Sequence, residues 1–88
     1  MTGAPKIKSM NIIDEYESVK RGLYSGSVGY IKPNKDFDFN VIIRSIIYDR
    51  SLKEINVSVG SAITFKSDPE SEYDECLIKA EPMIRSLK

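Results

Sequence analysis

The chain contains no histidine, no tryptophan and a single cysteine, Cys76. Without an imidazole there is nothing to activate a serine or cysteine nucleophile in the usual way, so triad hydrolases and typical zinc sites are excluded. One cysteine permits neither an internal disulfide nor a thiolate cluster, which fits a reducing compartment, and Cys76 itself reads as a packed apolar residue. A prevailing charge is also missing, because thirteen Lys and Arg cancel thirteen Asp and Glu. No broad field exists to attract nucleic acid or an anionic membrane, and neither is expected as a partner. No apolar run approaches the roughly 20 residues of a membrane span and no signal-peptide pattern stands at the start, so a cytoplasmic location is the expectation.

What is present is ordinary for a soluble globular protein: 41% hydrophobic and 30% charged residues over a length of 88. Residues 1–88 suit one small module, and a domain of this size buries roughly 60 to 65% of the surface its unfolded chain exposes. Met1 runs directly into Thr2-Gly3-Ala4-Pro5-Lys6, as a piece of a longer protein would.

Hydrophobic spacing sets the expected elements. Ile7, Met10 and Ile13, widened by Ile12 and Tyr16, predict a helix over about Ala4 to Tyr16, with Pro5 in its first turn. Three strands are predicted over Gly26 to Lys32, Phe37 to Tyr48 and Glu54 to Phe65. They are separated by turn-forming Lys32-Pro33-Asn34-Lys35 and Asp49-Arg50-Ser51, and such short connections imply antiparallel neighbours. Alternation places Phe37, Phe39, Val41, Ile43 and Ile47 on one face, expected to be core. Ser67-Asp68-Pro69-Glu70 caps a last helix, which Pro82 should kink or end near Glu81. The predicted class is α+β, in the order α-β-β-β-α around one three-stranded antiparallel sheet.

Several residues stand out chemically, each with a plain structural reading beside the functional one. On the last helix Glu72, Glu75 and Lys79 follow each other at three and four residues and so share one face. That face is either a solvated surface with a Glu75 to Lys79 pair, or two carboxylates for a hard divalent cation with a lysine at hand for an anion. Arg44 falls mid-strand among isoleucines. It either binds a carboxylate bidentately, or pairs with Asp38 or reaches past an edge. Tyr24 near a strand start is usually core or rim, and Gly60 within a strand usually marks a bulge, although it would also let a backbone amide approach an anion. Thr2-Gly3 before a helix offers free amides to an anion, without the glycine count of a phosphate loop.

Taken in order, Thr2-Gly3-Ala4-Pro5-Lys6, Arg21-Gly22-Leu23-Tyr24-Ser25-Gly26, Ile43-Arg44, Gly60-Ser61-Ala62-Ile63, and Ser67-Asp68-Pro69-Glu70-Ser71-Glu72-Tyr73-Asp74-Glu75 with Lys79-Ala80 resemble the closing motifs of the chorismate-binding enzymes. The resemblance covers essentially the whole chain. It implies the C-terminal part of the large α/β fold of the anthranilate synthase-like enzymes, which bind chorismate with Mg²⁺. It implies that Glu72 and Glu75 belong to the Mg²⁺ site, and that Arg44, Tyr24 and the backbone near Gly60 grip the enolpyruvyl carboxylate. Lys79 would support a metal-proximal carboxylate, and Thr2 and Gly3 would border the pocket. The stretches Gly60-Ser61-Ala62-Ile63-Thr64 and Ser67-Asp68-Pro69-Glu70 are most similar to members that aminate chorismate at C4 with ammonia from a glutaminase subunit.

Two departures qualify the resemblance. Many relatives carry Gly-Ala-Gly or Gly-Gly-Gly where this chain has Gly60-Ser61-Ala62. The family's motif with the catalytic lysine, its acid-base partners and a further Mg²⁺ carboxylate has no match here, so no catalytic residue is assigned and the chain alone is expected to be inactive. A piece of a larger sheet should also leave apolar surface uncovered, and self-association is a further expectation.

Overall fold

Apolar side chains at three- and four-residue spacing wind the first segment into α1, Lys6–Tyr16, in a computed structural model that describes all 88 residues, Met1–Lys88. Pro5 is the residue before the helix, with extended backbone (φ −64°, ψ 140°), so α1 begins two residues later than its predicted start. No side chain caps it, and the Ser9 amide donates to the Pro5 carbonyl at 2.9 Å to close the first turn.

Two antiparallel hairpins follow in place of one three-stranded sheet: β1, Ser27–Ile31, pairs with β2, Phe37–Val41, and β3, Ile46–Asp49, pairs with β4, Glu54–Val57. The single strand predicted over Phe37 to Tyr48 is therefore broken. Ile42 to Ser45 leave the ladder, and Arg44 takes a left-handed backbone (φ 51°), which a pleated strand cannot accommodate. The Ser45 hydroxyl donates to the Ile43 carbonyl at 2.9 Å and holds the bend. The last strand also stops early, at Val57, so Gly60 lies in irregular chain and marks no bulge.

Each hairpin turn is closed by its own side chains. Asn34 Oδ1 accepts from the Asp36 amide at 3.1 Å, while the Lys35 amide donates to the Lys32 carbonyl at 2.9 Å. Asp49 Oδ1 accepts from the amides of Ser51 and Leu52 at 2.8 and 3.1 Å. Gly29 is required on β1, because a Cβ there would run into the Asp38 carbonyl oxygen and come within 2.6 Å of the Phe39 ring.

The second helix, α2, spans Pro69–Ser86 and continues past Pro82, so of the predicted kink or end near Glu81 the end is not found. Proline removes one amide donor from a helix that retains the rest, and the Glu81–Arg85 ion pair bridges the adjoining turn. Asp68 caps the start, accepting from the Ser71 amide at 2.9 Å and the Ser71 hydroxyl at 2.6 Å. Neither helix is long and apolar enough to cross a membrane.

The chain divides into two units, residues 1–42 with α1, β1 and β2, and residues 43–88 with β3, β4 and α2. In the first, pairing of Gly29 with Phe39 and Ile31 with Phe37 does place Ile31, Phe37, Phe39 and Val41 on one face of the hairpin. That face is not core, however: the four are 69, 71, 52 and 49% exposed. Phe37 and Phe39 meet edge to face, 5.9 Å between centroids, with nothing laid over them. In the second unit Met83 on α2 is the one buried apolar side chain of the protein, at 7% exposure, and no side chain is fully buried.

Candidate functional site

The sequence-predicted residues fall in both units. Thr2, Gly3 and Tyr24 belong to the first; Arg44, Gly60, Glu72, Glu75 and Lys79 belong to the second.

The second unit gathers four of its five, Gly60, Glu72, Glu75 and Lys79, while Arg44 makes no hydrogen bond or ion pair with them. Thr64 and Ser67 close a turn before α2, with the Ser67 amide donating to the Thr64 carbonyl at 3.0 Å and the Thr64 amide to Ser67 Oγ at 2.9 Å. This turn folds residues 60–61 back along the first half of α2. Lys79 Nζ then donates to the Gly60 carbonyl at 3.3 Å and pairs with Glu75 Oε1 at 2.7 Å. The Ser61 hydroxyl donates to Glu72 Oε2. The result is a polar patch of one ammonium, one hydroxyl and two carboxylates in which each carboxylate has one oxygen engaged.

Electrostatics follow from these contacts. The hydrogen bond and charge of Lys79 hold the Glu75 carboxyl below its ordinary value, with smaller help from Glu72 and Ser61. The same bond raises the Lys79 ammonium, which is opposed by the positive charge of Arg44. Arg44 therefore stands within electrostatic reach of the patch. It is neither mid-strand nor buried, as the sequence suggested; it is exposed at the bend between β2 and β3, so no desolvation cost needs a bound anion to offset it. No carboxylate of its own unit holds its guanidinium. Gly60 contributes its carbonyl rather than an amide, and the bonded partner is the Lys79 ammonium.

Ser61 is the residue that sequence reasoning passed over. It was noticed as a departure from a glycine-rich stretch, and the signal was chemical: a hydroxyl close in sequence to an acidic helix has a donor to offer. No group of three or more His, Cys, Asp or Glu side chains comes together. Two open concavities mark the surface, one lined by Glu81, Pro82, Arg85 and Ser86 and one by Val28, Gly29, Tyr30, Asp38 and Asn40. Neither includes a candidate site residue.

In the first unit Tyr24 is half-buried and its amide donates to the Arg21 carbonyl at 3.0 Å. Thr2 and Gly3 are exposed and precede α1 by several residues, so they do not form the start of the helix itself.

The chain is 50% identical over 80 residues to a protein of Oryza sativa subsp. japonica named probable aminodeoxychorismate synthase, chloroplastic, covering 91% of this chain and 9% of that protein. It is 46% identical over 79 residues to the aminodeoxychorismate synthase, chloroplastic, of Arabidopsis thaliana, covering 90% of this chain and 8% of the relative. It is 41% identical over 88 residues to the anthranilate synthase component 1 of Acetivibrio thermocellus, covering 100% of this chain and 17% of the relative. The chain thus spans a small part of the length of the curated relatives it matches. The family model described as chorismate binding enzyme matches residues 1–85, and with nearly its whole length inside that match, this chain belongs to the chorismate binding enzyme family.

Proposed function

We propose that this chain is the part of an aminodeoxychorismate synthase that carries one end of the chorismate site, serving conversion of chorismate and ammonia to 4-amino-4-deoxychorismate and water. Identities of 50 and 46% to two relatives of that name support this member over the anthranilate, isochorismate and salicylate synthases, while a third relative of that name at 40% stands level with an anthranilate synthase component 1 at 41%. The observation that carries the reading is the patch of Glu72, Glu75 and Lys79, onto which Gly60 and Ser61 are hydrogen-bonded. Chorismate is a dianion with two separated carboxylates, and a cation held by Glu72 and Glu75 would supply one positive pole while Arg44 supplies the other.

The donor set fits Mg²⁺. Both carboxylates offer hard oxygens, one of each remains free of Ser61 and Lys79, and Mg²⁺ characteristically takes one or two protein carboxylates and completes its octahedron with water and substrate. When bound, the metal would neutralise the ring carboxylate and the charge developing at C2 and C4. The second unit's own residues bind and orient: Lys79 holds Glu75 ionised, Ser61 holds Glu72 in place, and Arg44 takes the enolpyruvyl carboxylate; in the first unit, Tyr24, Thr2 and Gly3 are the residues that the family resemblance assigns to chorismate. Ammonia would come from a glutaminase subunit. With the family's lysine motif unmatched, binding without turnover is the activity proposed for the 88 residues alone.

Titration calorimetry of chorismate with Mg²⁺ tests this. Glu75→Ala and Arg44→Ala should each weaken binding about tenfold, the equivalent of about 1.4 kcal/mol and in the range of a lost charge-assisted contact. Equal affinities in all three proteins would remove the assignment.

A second reading, a non-catalytic module that associates with itself, is favoured by the uncovered apolar face of Ile31, Phe37, Phe39 and Val41.

A further inference from the structure

Residues 1–3 have a single hydrogen-bonded anchor. The Met1 carbonyl accepts from Arg21 Nη1 at 2.7 Å, and no other hydrogen bond reaches Met1, Thr2 or Gly3. The same guanidinium grips Glu17 bidentately, Nε to Oε2 at 2.8 Å and Nη2 to Oε1 at 2.5 Å. Glu17 closes α1, where its amide donates to the Ile13 carbonyl, so the fork is fixed to the end of a helix. The backbone of Arg21 holds something else. Its carbonyl accepts from the Tyr24 amide, and the loop is tied on to the end of β2 by Ser25 to Ile42 and Ile42 to Gly26 bonds, both 2.9 Å.

We infer that Arg21 is a positioning residue that fixes the Met1–Gly3 segment against the loop carrying Tyr24, its guanidinium spanning the Glu17 carboxylate and the Met1 carbonyl. The inference rests on the reading that assigns Thr2, Gly3 and Tyr24 to chorismate, since that reading gives the positioning its use. The shape of the side chain matters. Nε and Nη2 form the edge that matches a carboxylate, leaving Nη1 to reach a third atom in another direction, and a lysine ammonium has no such planar fork. The side chains of Arg21 and Glu17 are 29 and 39% exposed, so the pair lies at the surface and its worth is in holding geometry rather than in stability. Its guanidinium also lies within electrostatic reach of the Tyr24 phenol.

The test uses the 88-residue chain with Met1 retained and two variants, Arg21→Lys and Glu17→Gln. In both, the amide resonances of Thr2 and Gly3 should move toward random-coil positions and the Tyr24 resonances should shift, while those of β1 and β2 stay in place. The double variant should do no more than Arg21→Lys alone, because the two residues act as one unit. Chorismate affinity in the presence of Mg²⁺ should fall about fivefold in Arg21→Lys. Thr2, Gly3 and Tyr24 resonances that superimpose on those of the unsubstituted chain in both variants would overturn the inference. A chain that binds no chorismate but shows the resonance changes would leave the positioning standing and remove the proposed site.

Discussion

Lys79 touches three things at once: the Glu75 carboxylate, the Gly60 carbonyl and, through space, the charge of Arg44. The depressed Glu75 carboxyl contributes stability above its ordinary value of 4.5, lost as pH falls through the lowered folded value. The raised Lys79 ammonium contributes below its ordinary value of 10.5, lost as pH rises through the raised one. The pair is therefore complete between those limits, and Lys79→Met should return the Glu75 carboxyl toward 4.5 in a carbon-detected NMR titration. An unmoved titration would show that the pairing does not hold in solution. At this scale the spacing of Glu72, Glu75 and Lys79 was legible, since three- and four-residue steps fix a common helix face whatever else the chain does. The partners on the opposite side, Gly60 and Ser61, were not. They lie nineteen and eleven residues away from theirs, and only the turn at Thr64 to Ser67 brings them back.

Among the elements, α2 shows where local signals suffice. Ser67-Asp68-Pro69 announced its start, and the cap is made as expected, with Asp68 held below its ordinary value of 3.8 chiefly by the Ser71 hydroxyl. Helix content measured by circular dichroism should therefore decline as pH falls through that lowered value, and Asp68→Ala should abolish this step and shorten the helix at its first turn. Retention of the step in the variant would assign it to another carboxylate. The early end offered as one outcome at Pro82 did not occur, because one missing amide does not stop a helix whose other bonds remain. The strand from Phe37 to Tyr48 misled for the opposite reason. Its composition is strongly β-favouring throughout, and nothing in the pattern of side chains reports that Arg44 adopts φ 51°, a backbone choice made by tertiary context. Alternation was nonetheless legible in the first hairpin, where Phe37, Phe39 and Val41 do share a face, but in the second it set Ile47 with the core residues, whereas Ile47 pairs with Asn56 and it is Ile46 and Tyr48 that stand opposite Val57 and Ile55.

For the molecule as a whole, surface area is the telling quantity. The chain exposes 8057 Å², whereas a compact monomer of 10.0 kDa exposes about 5,200 Å². The excess is well above the roughly 800 Å² per partner of a standard protein interface, and much of it is apolar. With the outer edges of both two-stranded sheets also unpaired, association between copies is the expected outcome in solution. Sedimentation velocity should show species larger than a monomer, diminished by Ile31→Lys together with Phe37→Lys; a clean monomer at high concentration would sink the self-associating reading. That apolar surface would stay uncovered was expected from the sequence, but alternation assigned the face of Phe37, Phe39 and Val41 to the core, because a strand pattern reports which residues share a face and not what lies on it. The solitary burial of Met83 has a calorimetric corollary. Heat capacity of unfolding and denaturant sensitivity both scale with newly wetted area, and a lone monomer here has only about 70% of the usual amount left to wet. Its stability curve would be correspondingly flat, and its melting broad and gradual, as for a surface waiting to be joined.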